Sequence, residues 1–169
     1  MKKIFATMLA GVMVIGLAGC KNSASNGGSD AAYKLGMGVT TSIGSSSAGN
    51  AQVDATVATV VTDADGKIVS CIIDVAQNKM AITDGEVPAD AASMTFKTKK
   101  EKKEEYNMRG ASPIGKEWYE QSEGFCAYLV GKDASEIAAI PTDGSDADLA
   151  ASCTVGIDSM LNAAIKAAQ

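Results

Sequence analysis

Hydrophobic and polar positions alternate along much of the first half of the mature chain. This period of two predicts three strands, at residues 33–43, 51–62 and 68–75, because successive side chains of a strand point to opposite faces of a sheet. Asp63-Ala64-Asp65-Gly66 separates the last two segments, and a short connection with Asp-Gly is typical of an antiparallel hairpin. We therefore predict an antiparallel sheet, to which residues 94–98 add a short strand.

Apolar residues in the second half repeat at helical spacing. Thr98, followed three residues later by Glu101, predicts a capping box for a short helix that ends at residue 106 or 107. Ser112 and Pro113 predict the start of a second helix, which Gly131 ends. The buried stripe of this second helix holds Trp118, Ser122, Phe125 and Leu129, with Cys126 and Val130 beside it.

The C-terminal residues 157–168 predict a third helix. Its apolar positions are Ile157, Met160, Leu161, Ala164 and Ile165. One extra helical turn is predicted within residues 133–140. The expected fold class is thus α+β, a small antiparallel sheet with two or three helices packed on it.

The N-terminus has the pattern of a bacterial export signal. Lys2 and Lys3 precede an uncharged apolar run, residues 4–18, which is short for a membrane span. The segment Leu17-Ala18-Gly19-Cys20 resembles the bacterial lipobox, which implies cleavage before Cys20 and attachment of a lipid to its thiol. The alternative is that Cys20 lies in an uncleaved anchor helix. Both interpretations place the rest of the chain on the extracytoplasmic face of the cell membrane.

Composition divides the chain into three parts. Residues 1–19 are the predicted signal peptide, and residues 20–32 are the lipidated cysteine with a flexible tether. Residues 21–30 are almost entirely small and polar, so they cannot bury enough apolar surface to become ordered. Residues 33–169 suit a single domain. Within it, the Ser/Gly-rich residues 41–50 form either a mobile loop over a pocket or a wide turn.

Charge and residue usage exclude several functions. Removal of the signal takes away two of the fifteen basic residues and none of the twenty acidic ones, which leaves a formal charge of −7. This charge argues against a nucleic-acid partner. The chain has no histidine, and Cys71, Cys126 and Cys153 are far apart in sequence, so neither a metal site nor a histidine-based hydrolase is expected. The three cysteines have apolar neighbours and are interpreted as core residues.

Two segments carry a resemblance to a known family. They are Asp65-Gly66-Lys67-Ile68-Val69-Ser70-Cys71-Ile72-Ile73 and Asp148-Leu149-Ala150-Ala151-Ser152-Cys153-Thr154. They resemble the FMN-binding domain family, whose flavin-carrying members are similar to one of the subunits of NADH:quinone reductase. In that family an Asp-Gly strand precedes a motif Asp-x-x-Ser/Thr-Gly-Ala-Thr, whose last threonine can carry FMN through a phosphoester bond.

The resemblance implies a site at Asp148, Ser152 and Thr154, with FMN held covalently at Thr154 or non-covalently. Ala151 replaces the hydroxyl residue of the family motif, Ser152 the glycine and Cys153 the alanine. Glycine in such a loop permits a close backbone approach that serine restricts. The alternative role of Thr154 is to cap or precede the last helix, with no cofactor bound.

A third segment, Gly115-Lys116-Glu117-Trp118-Tyr119-Glu120-Gln121, resembles a group of clostridial-type lipoproteins related to the same family. For that group the resemblance implies location and fold, without a reaction. Trp118 and Tyr119, beside Lys116 and Arg109, can be interpreted as a platform that stacks on a flavin ring and holds its phosphate. The alternative is that Trp118 belongs to the core.

These observations favour a membrane-tethered extracytoplasmic lipoprotein that acts as a flavin-based electron carrier. Its partners would be the membrane, through the lipid, and a redox protein. In such a carrier the cofactor supplies the redox chemistry, so no catalytic residue is required. The alternative is a non-enzymatic lipoprotein that binds a small ligand or a protein partner and has lost the flavin site.

Overall fold

The computed structural model describes residues 32–169. The predicted signal peptide, Cys20 and tether residues 21–31 lie outside the described residues. Within residues 32–169, no helix combines the length and the apolar character that crossing a bilayer requires.

Three antiparallel strands form one sheet in the order β1-β2-β3. The strands are β1 (Lys34–Ser42), β2 (Asn50–Thr62) and β3 (Ile68–Ala81). A turn joins β2 to β3, in which the Asp63 amide donates to the Lys67 carbonyl at 2.9 Å and Gly66 has a φ of 76°. The predicted strands and hairpin are confirmed, and β3 continues six residues beyond its predicted end.

The short strand predicted at residues 94–98 is wrong. Residues 94–98 have no regular structure and follow a 3₁₀ turn, Ala91–Ser93. Other segments instead bond to the edge of β3: Ile68 donates to the Lys132 carbonyl at 2.9 Å, and the Lys100 amide donates to Asp74 at 3.1 Å.

Five α-helices are found within residues 32–169. They are α1 (Lys99–Lys102), α2 (Trp118–Leu129), α3 (Ala134–Ala138), α4 (Ala147–Ala150) and α5 (Asp158–Ala168). The 3₁₀ turn Lys103–Tyr106 continues α1. The capping box of Thr98 and Glu101 is confirmed, as are the extra turn, now α3, and the last helix. The α+β class with a small antiparallel sheet is therefore confirmed, and α4 was not predicted.

The predicted start of α2 at Ser112-Pro113 is wrong by five residues. Gly115 has a φ of 63°, a left-handed conformation that a helix does not continue through. The Ser112 hydroxyl accepts from the Lys116 amide at 3.3 Å and so stabilises a separate turn. The helix begins instead after Glu117, whose own amide donates to the Glu120 carboxylate at 2.7 Å.

Helices α5 and α2 cover one face of the sheet. Gly36 and Gly38 of β1 allow α5 to lie directly on the strand, since a Cβ at Gly38 would be 2.0 Å from the Ala163 carbonyl oxygen. Helix α2 lies on β3, where the Ser122 hydroxyl donates to the Ile73 carbonyl at 2.9 Å. Buried residues between these layers form the core, among them Ala58, Val60, Ile73, Phe125, Leu129, Leu161 and Ala164. The opposite face of the sheet leaves apolar side chains exposed, including Leu35, Met37 and Ile72.

Candidate functional site

Thr154 lies in the segment that links α4 to α5, at the edge of a cavity of about 310 Å³. The walls come from the loop at residues 141–146 and from residues 149–157. Leu149, Cys153 and Ile157 are buried and supply an apolar floor, whereas Thr154 is exposed. The volume is at the lower end of the roughly 300–1,000 Å³ typical of small-molecule sites.

A buried glutamine fixes the backbone at Thr154. The Oε1 atom of Gln121 accepts from the Thr154 amide at 2.8 Å, the Thr154 hydroxyl at 3.0 Å and the Val155 amide at 3.2 Å. Its Nε2 atom donates to the Ser112 hydroxyl at 3.2 Å and to the Lys116 carbonyl at 3.1 Å. Gln121 is 0% exposed, so its amide joins three segments through partly buried hydrogen bonds.

Glu117 fixes a neighbouring loop in the same way. Its buried carboxylate accepts from the amides of Met108 at 2.8 Å and Arg109 at 3.0 Å. Glu117 and Gln121 both belong to the Gly115–Gln121 segment that carries the lipoprotein resemblance. Sequence reasoning missed these roles, although one signal was present: Gln121 lies three residues after Trp118, on the buried stripe where a polar residue needs a partner.

The three predicted site residues have different surroundings. Asp148 is exposed on α4 and does not line the cavity. The Ser152 hydroxyl donates to the Leu149 carbonyl at 3.2 Å. A Cβ at Gly124 would lie 2.9 Å from Ser152, so Ser152 packs against α2. Of the three, Thr154 alone lines the cavity.

Asp143 and Asp146 make the rim of this cavity acidic. A hydrogen bond from Ser145 lowers the pKa of Asp143. Tyr128 donates to Asp146 at 2.5 Å, and this bond lowers the pKa of Asp146. Both carboxyl groups are therefore charged at neutral pH, and within residues 32–169 neither lysine nor arginine lines the cavity.

These charges decide how FMN fits the site. A phosphate held non-covalently would face two carboxylates, while the cations whose charge reaches Asp146 and Cys153, Lys132 and Lys116, lie outside the lining, so non-covalent binding of FMN here fits poorly. A phosphoester at Thr154 fits better, because the covalent bond replaces the missing ion pair and Thr154 is an exposed residue at the edge of the cavity. After esterification the Thr154 side-chain oxygen no longer donates to Gln121. The Oε1 atom of Gln121 still accepts from the backbone amides of Thr154 and Val155.

The aromatic platform predicted around Trp118 is not assembled. Trp118 is 3% exposed and belongs to the core, which confirms the alternative interpretation. The Tyr119 hydroxyl donates to Glu104 at 3.0 Å. The Arg109 guanidinium donates to Glu120 at 2.8 Å and to a backbone carbonyl. The two aromatic rings and the arginine therefore have partners within the chain.

A second cavity, of about 210 Å³, lies between the sheet and the start of α5. Gln52 and Thr56, both buried, line it with Asp54 and Lys99. The Oδ2 atom of Asp54 accepts from the side-chain Nε2 of Gln52 at 2.8 Å, while its Oδ1 atom is buried without a hydrogen-bond partner. Such an oxygen is costly to bury unless a donor reaches it.

The turn that precedes β2 borders this second cavity. Ser45, from the Ser/Gly-rich segment, contributes to the lining. The Ser46 hydroxyl accepts from the Gln52 amide and donates to the Gln52 carbonyl, both at 2.9 Å. Of the two possibilities left open by the sequence, the structure has a wide hydrogen-bonded turn that lines a pocket.

Within residues 32–169, no group of three or more acidic, cysteine or histidine residues is placed to hold a metal ion. Comparison with models of known families, with curated proteins and with solved structures gave no match. Membership of the FMN-binding domain family therefore stays a prediction, which rests on the sequence segments quoted above.

Proposed function

We propose that this chain is a lipid-anchored extracytoplasmic protein that carries FMN on Thr154 and transfers electrons near the membrane surface. The observation that carries the proposal is the state of Thr154, whose backbone is fixed by Gln121 while its side chain is exposed beside a cavity. The lipobox-like segment that ends at Cys20 supports the location.

A modifying enzyme requires an acceptor residue that it can reach on a backbone of fixed conformation. Thr154 is such an exposed residue, and its hydroxyl bond to Gln121 must break when the ester forms. Attachment forms a bond between Thr154 Oγ1 and the FMN phosphorus of a donor in which that phosphorus is part of a phosphoanhydride. The phosphoanhydride bond breaks, the other phosphate leaves with its electron pair, and the hydroxyl proton is released. The apolar floor of Leu149, Cys153 and Ile157 then offers a surface for part of the flavin ring.

Electron transfer by a bound flavin requires no catalytic residue from this protein. The flavin accepts and donates the electrons, whereas the chain supplies position and a local electric field. Asp143 and Asp146 contribute negative charge to that field, and negative charge disfavours the addition of an electron. We therefore expect a bound flavin of low reduction potential, with a redox partner protein within reach of the tether.

The test is expression of the full-length protein together with an FMN-transferring enzyme, followed by intact mass and flavin fluorescence of the denatured protein. Wild type should gain the mass of one FMN less one water, and Thr154→Val should not. Thr142→Val is the matched control, since Thr142 is an exposed threonine of the same cavity and should leave the attachment unchanged. An unmodified wild type, or flavin retained by Thr154→Val, would contradict the proposal.

The second candidate function is binding of a small polar ligand without flavin, and the 210 Å³ cavity favours it. The unpartnered Asp54 Oδ1 selects a ligand with a hydrogen-bond donor, such as a primary ammonium group. Native mass spectrometry of full-length protein from its own membranes would then show a bound non-flavin molecule. Asp54→Ala should release this molecule, whereas the matched Asp84→Ala, at an exposed turn outside the cavity, should retain it.

A further inference from the structure

Cys71 of β3 and Cys126 of α2 meet in the fold although they are distant in sequence. Two hydrogen bonds fix how α2 lies along β3: the Ser122 hydroxyl donates to the Ile73 carbonyl at 2.9 Å, and the Gly131 amide donates to the Ile68 carbonyl at 2.7 Å. Cys126 follows Ser122 by four residues, a rise of about 6 Å along the helix. From Ile73, two strand residues, again about 6–7 Å, reach Cys71.

Because both elements advance by the same distance, the two thiols lie opposite each other. Both line one open cavity of about 260 Å³ with Lys100 and Glu123. Cys71 is half-buried, so a reagent can reach the pair, while Cys126 is 6% exposed. The Lys100 ammonium is 3.6 Å from Glu123 at the rim.

The surroundings favour ionisation of one thiol of the pair. The neighbouring Cys71 thiol and the positive charge of Lys100 lower the pKa of Cys126. The neighbouring Cys126 thiol, with burial, raises the pKa of Cys71. A thiolate beside a thiol is the arrangement from which disulfide exchange proceeds, since the thiolate is the nucleophile.

Cys153 has a different environment. It is 4% exposed in the floor of the cavity beside Thr154, and burial raises its pKa to about 11. A neutral buried thiol reacts slowly. Cys153 is therefore the internal control for the other two.

We propose that Cys71 and Cys126 form a reversible dithiol–disulfide site, which exchanges with the disulfide of an exported thiol-disulfide oxidoreductase. In the oxidation, the Cys71 and Cys126 thiols together lose two protons and two electrons, and one S–S bond forms between them. The reacting disulfide takes up the two electrons, its S–S bond breaks, and two thiols are released. The new bond joins β3 to α2, the helix that holds the Thr154 segment through Gln121.

The experiment equilibrates full-length protein in detergent with oxidised and reduced glutathione at a series of ratios. The exchange is then quenched with acid, the protein is denatured so that buried thiols become accessible, free thiols are alkylated, and peptides are mapped by mass spectrometry. Wild type should yield a linked Cys71–Cys126 peptide under oxidising conditions, with Cys153 alkylated at every ratio. Cys153→Ser should leave the linked peptide unchanged, and Cys71→Ser should abolish it.

The wild-type map decides the proposal even if a variant folds poorly. The proposal would be overturned by any of three results: Cys71 and Cys126 stay alkylated at every ratio, they form only mixed disulfides with glutathione, or they pair between two molecules. Circular dichroism gives a second readout, because a link between distant residues restricts the unfolded chain. Oxidised wild type should melt several degrees above the reduced protein, by about 5 °C or more, and equal melting temperatures would also overturn the proposal.

Discussion

Replacement of Gln121 by methionine tests the architecture of the candidate site. Methionine keeps the length and volume of the side chain but neither accepts nor donates the bonds made by the amide. The amides of Thr154 and Val155 would lose their acceptor, and the Ser112 hydroxyl and Lys116 carbonyl would lose their donor. An unpaired buried polar group costs about 1–3 kcal/mol.

Thr154 is itself exposed, so water replaces part of what its amide loses. We therefore expect Gln121→Met to reduce the free energy of unfolding by about 3 kcal/mol in total. For a domain of this size that corresponds to a fall in melting temperature of about 12 °C. Urea denaturation followed by circular dichroism measures the free energy directly, and hydrogen exchange should show faster exchange at the amides of residues 154 and 155.

Asn162→Leu is the control, because it also removes an amide side chain but from an exposed position on α5. Its effect should stay within about 0.5 kcal/mol. The proposed role of Gln121 is refuted if Gln121→Met lowers the free energy of unfolding by less than about 1 kcal/mol, or if the exchange rates of the amides of residues 154 and 155 do not change.

Three further predictions concern packing and charge. Gly38→Ala should destabilise the fold by about 1–3 kcal/mol in urea denaturation, because its Cβ would be 2.0 Å from a carbonyl oxygen of α5. The control Gly110→Ala should not destabilise the fold, because Gly110 has open space around it. Equal losses of stability in the two variants would refute this prediction. A hydrogen bond from Lys67 lowers the pKa of Asp133, so this carboxylate stabilises the fold above its unfolded pKa and loses that contribution as pH falls through its folded pKa. Lys67→Met should therefore flatten the fall of melting temperature from about pH 5 to pH 2, and an unchanged slope would count against it. A hydrogen bond to a carboxylate raises the pKa of Tyr128 to about 12, so Tyr128→Phe should remove an ultraviolet titration step near that pH rather than at an ordinary tyrosine pKa.

The hairpin and the last helix could be predicted because their signals are local. Alternating side chains and Asp65-Gly66 define β2, the turn and β3 within a short stretch of sequence. Helix α5 has a continuous apolar stripe that fits one face of the sheet. Such elements need no knowledge of what they pack against, beyond the existence of a core.

The start of α2 required information that the sequence pattern does not contain. Ser112-Pro113 is a good helix start by residue type, but Gly115 adopts a left-handed conformation and Glu117 is held by the amides of residues 108 and 109. Tertiary bonds of this kind override local preference. Residues 94–98 were likewise suited to a strand, but other segments bond to the edge of β3.

The candidate site was predictable only in part. A motif resemblance indicated Thr154, and the structure places Thr154 at a cavity. The same motif also indicated Asp148, which does not reach the cavity. The roles of Gln121 and of the Cys71–Cys126 pair depend on contacts between distant parts of the chain, which a single sequence does not reveal.

The proposed attachment of FMN to Thr154 is tested most directly by flavin analysis of the full-length protein isolated from the membranes of its own cells. Denaturing electrophoresis with in-gel fluorescence, followed by peptide mass spectrometry, would locate any attached cofactor. A fluorescent band and a peptide that carries FMN on Thr154 are expected. A non-fluorescent protein whose Thr154 peptide has its unmodified mass would contradict the proposal that this chain is a flavin carrier.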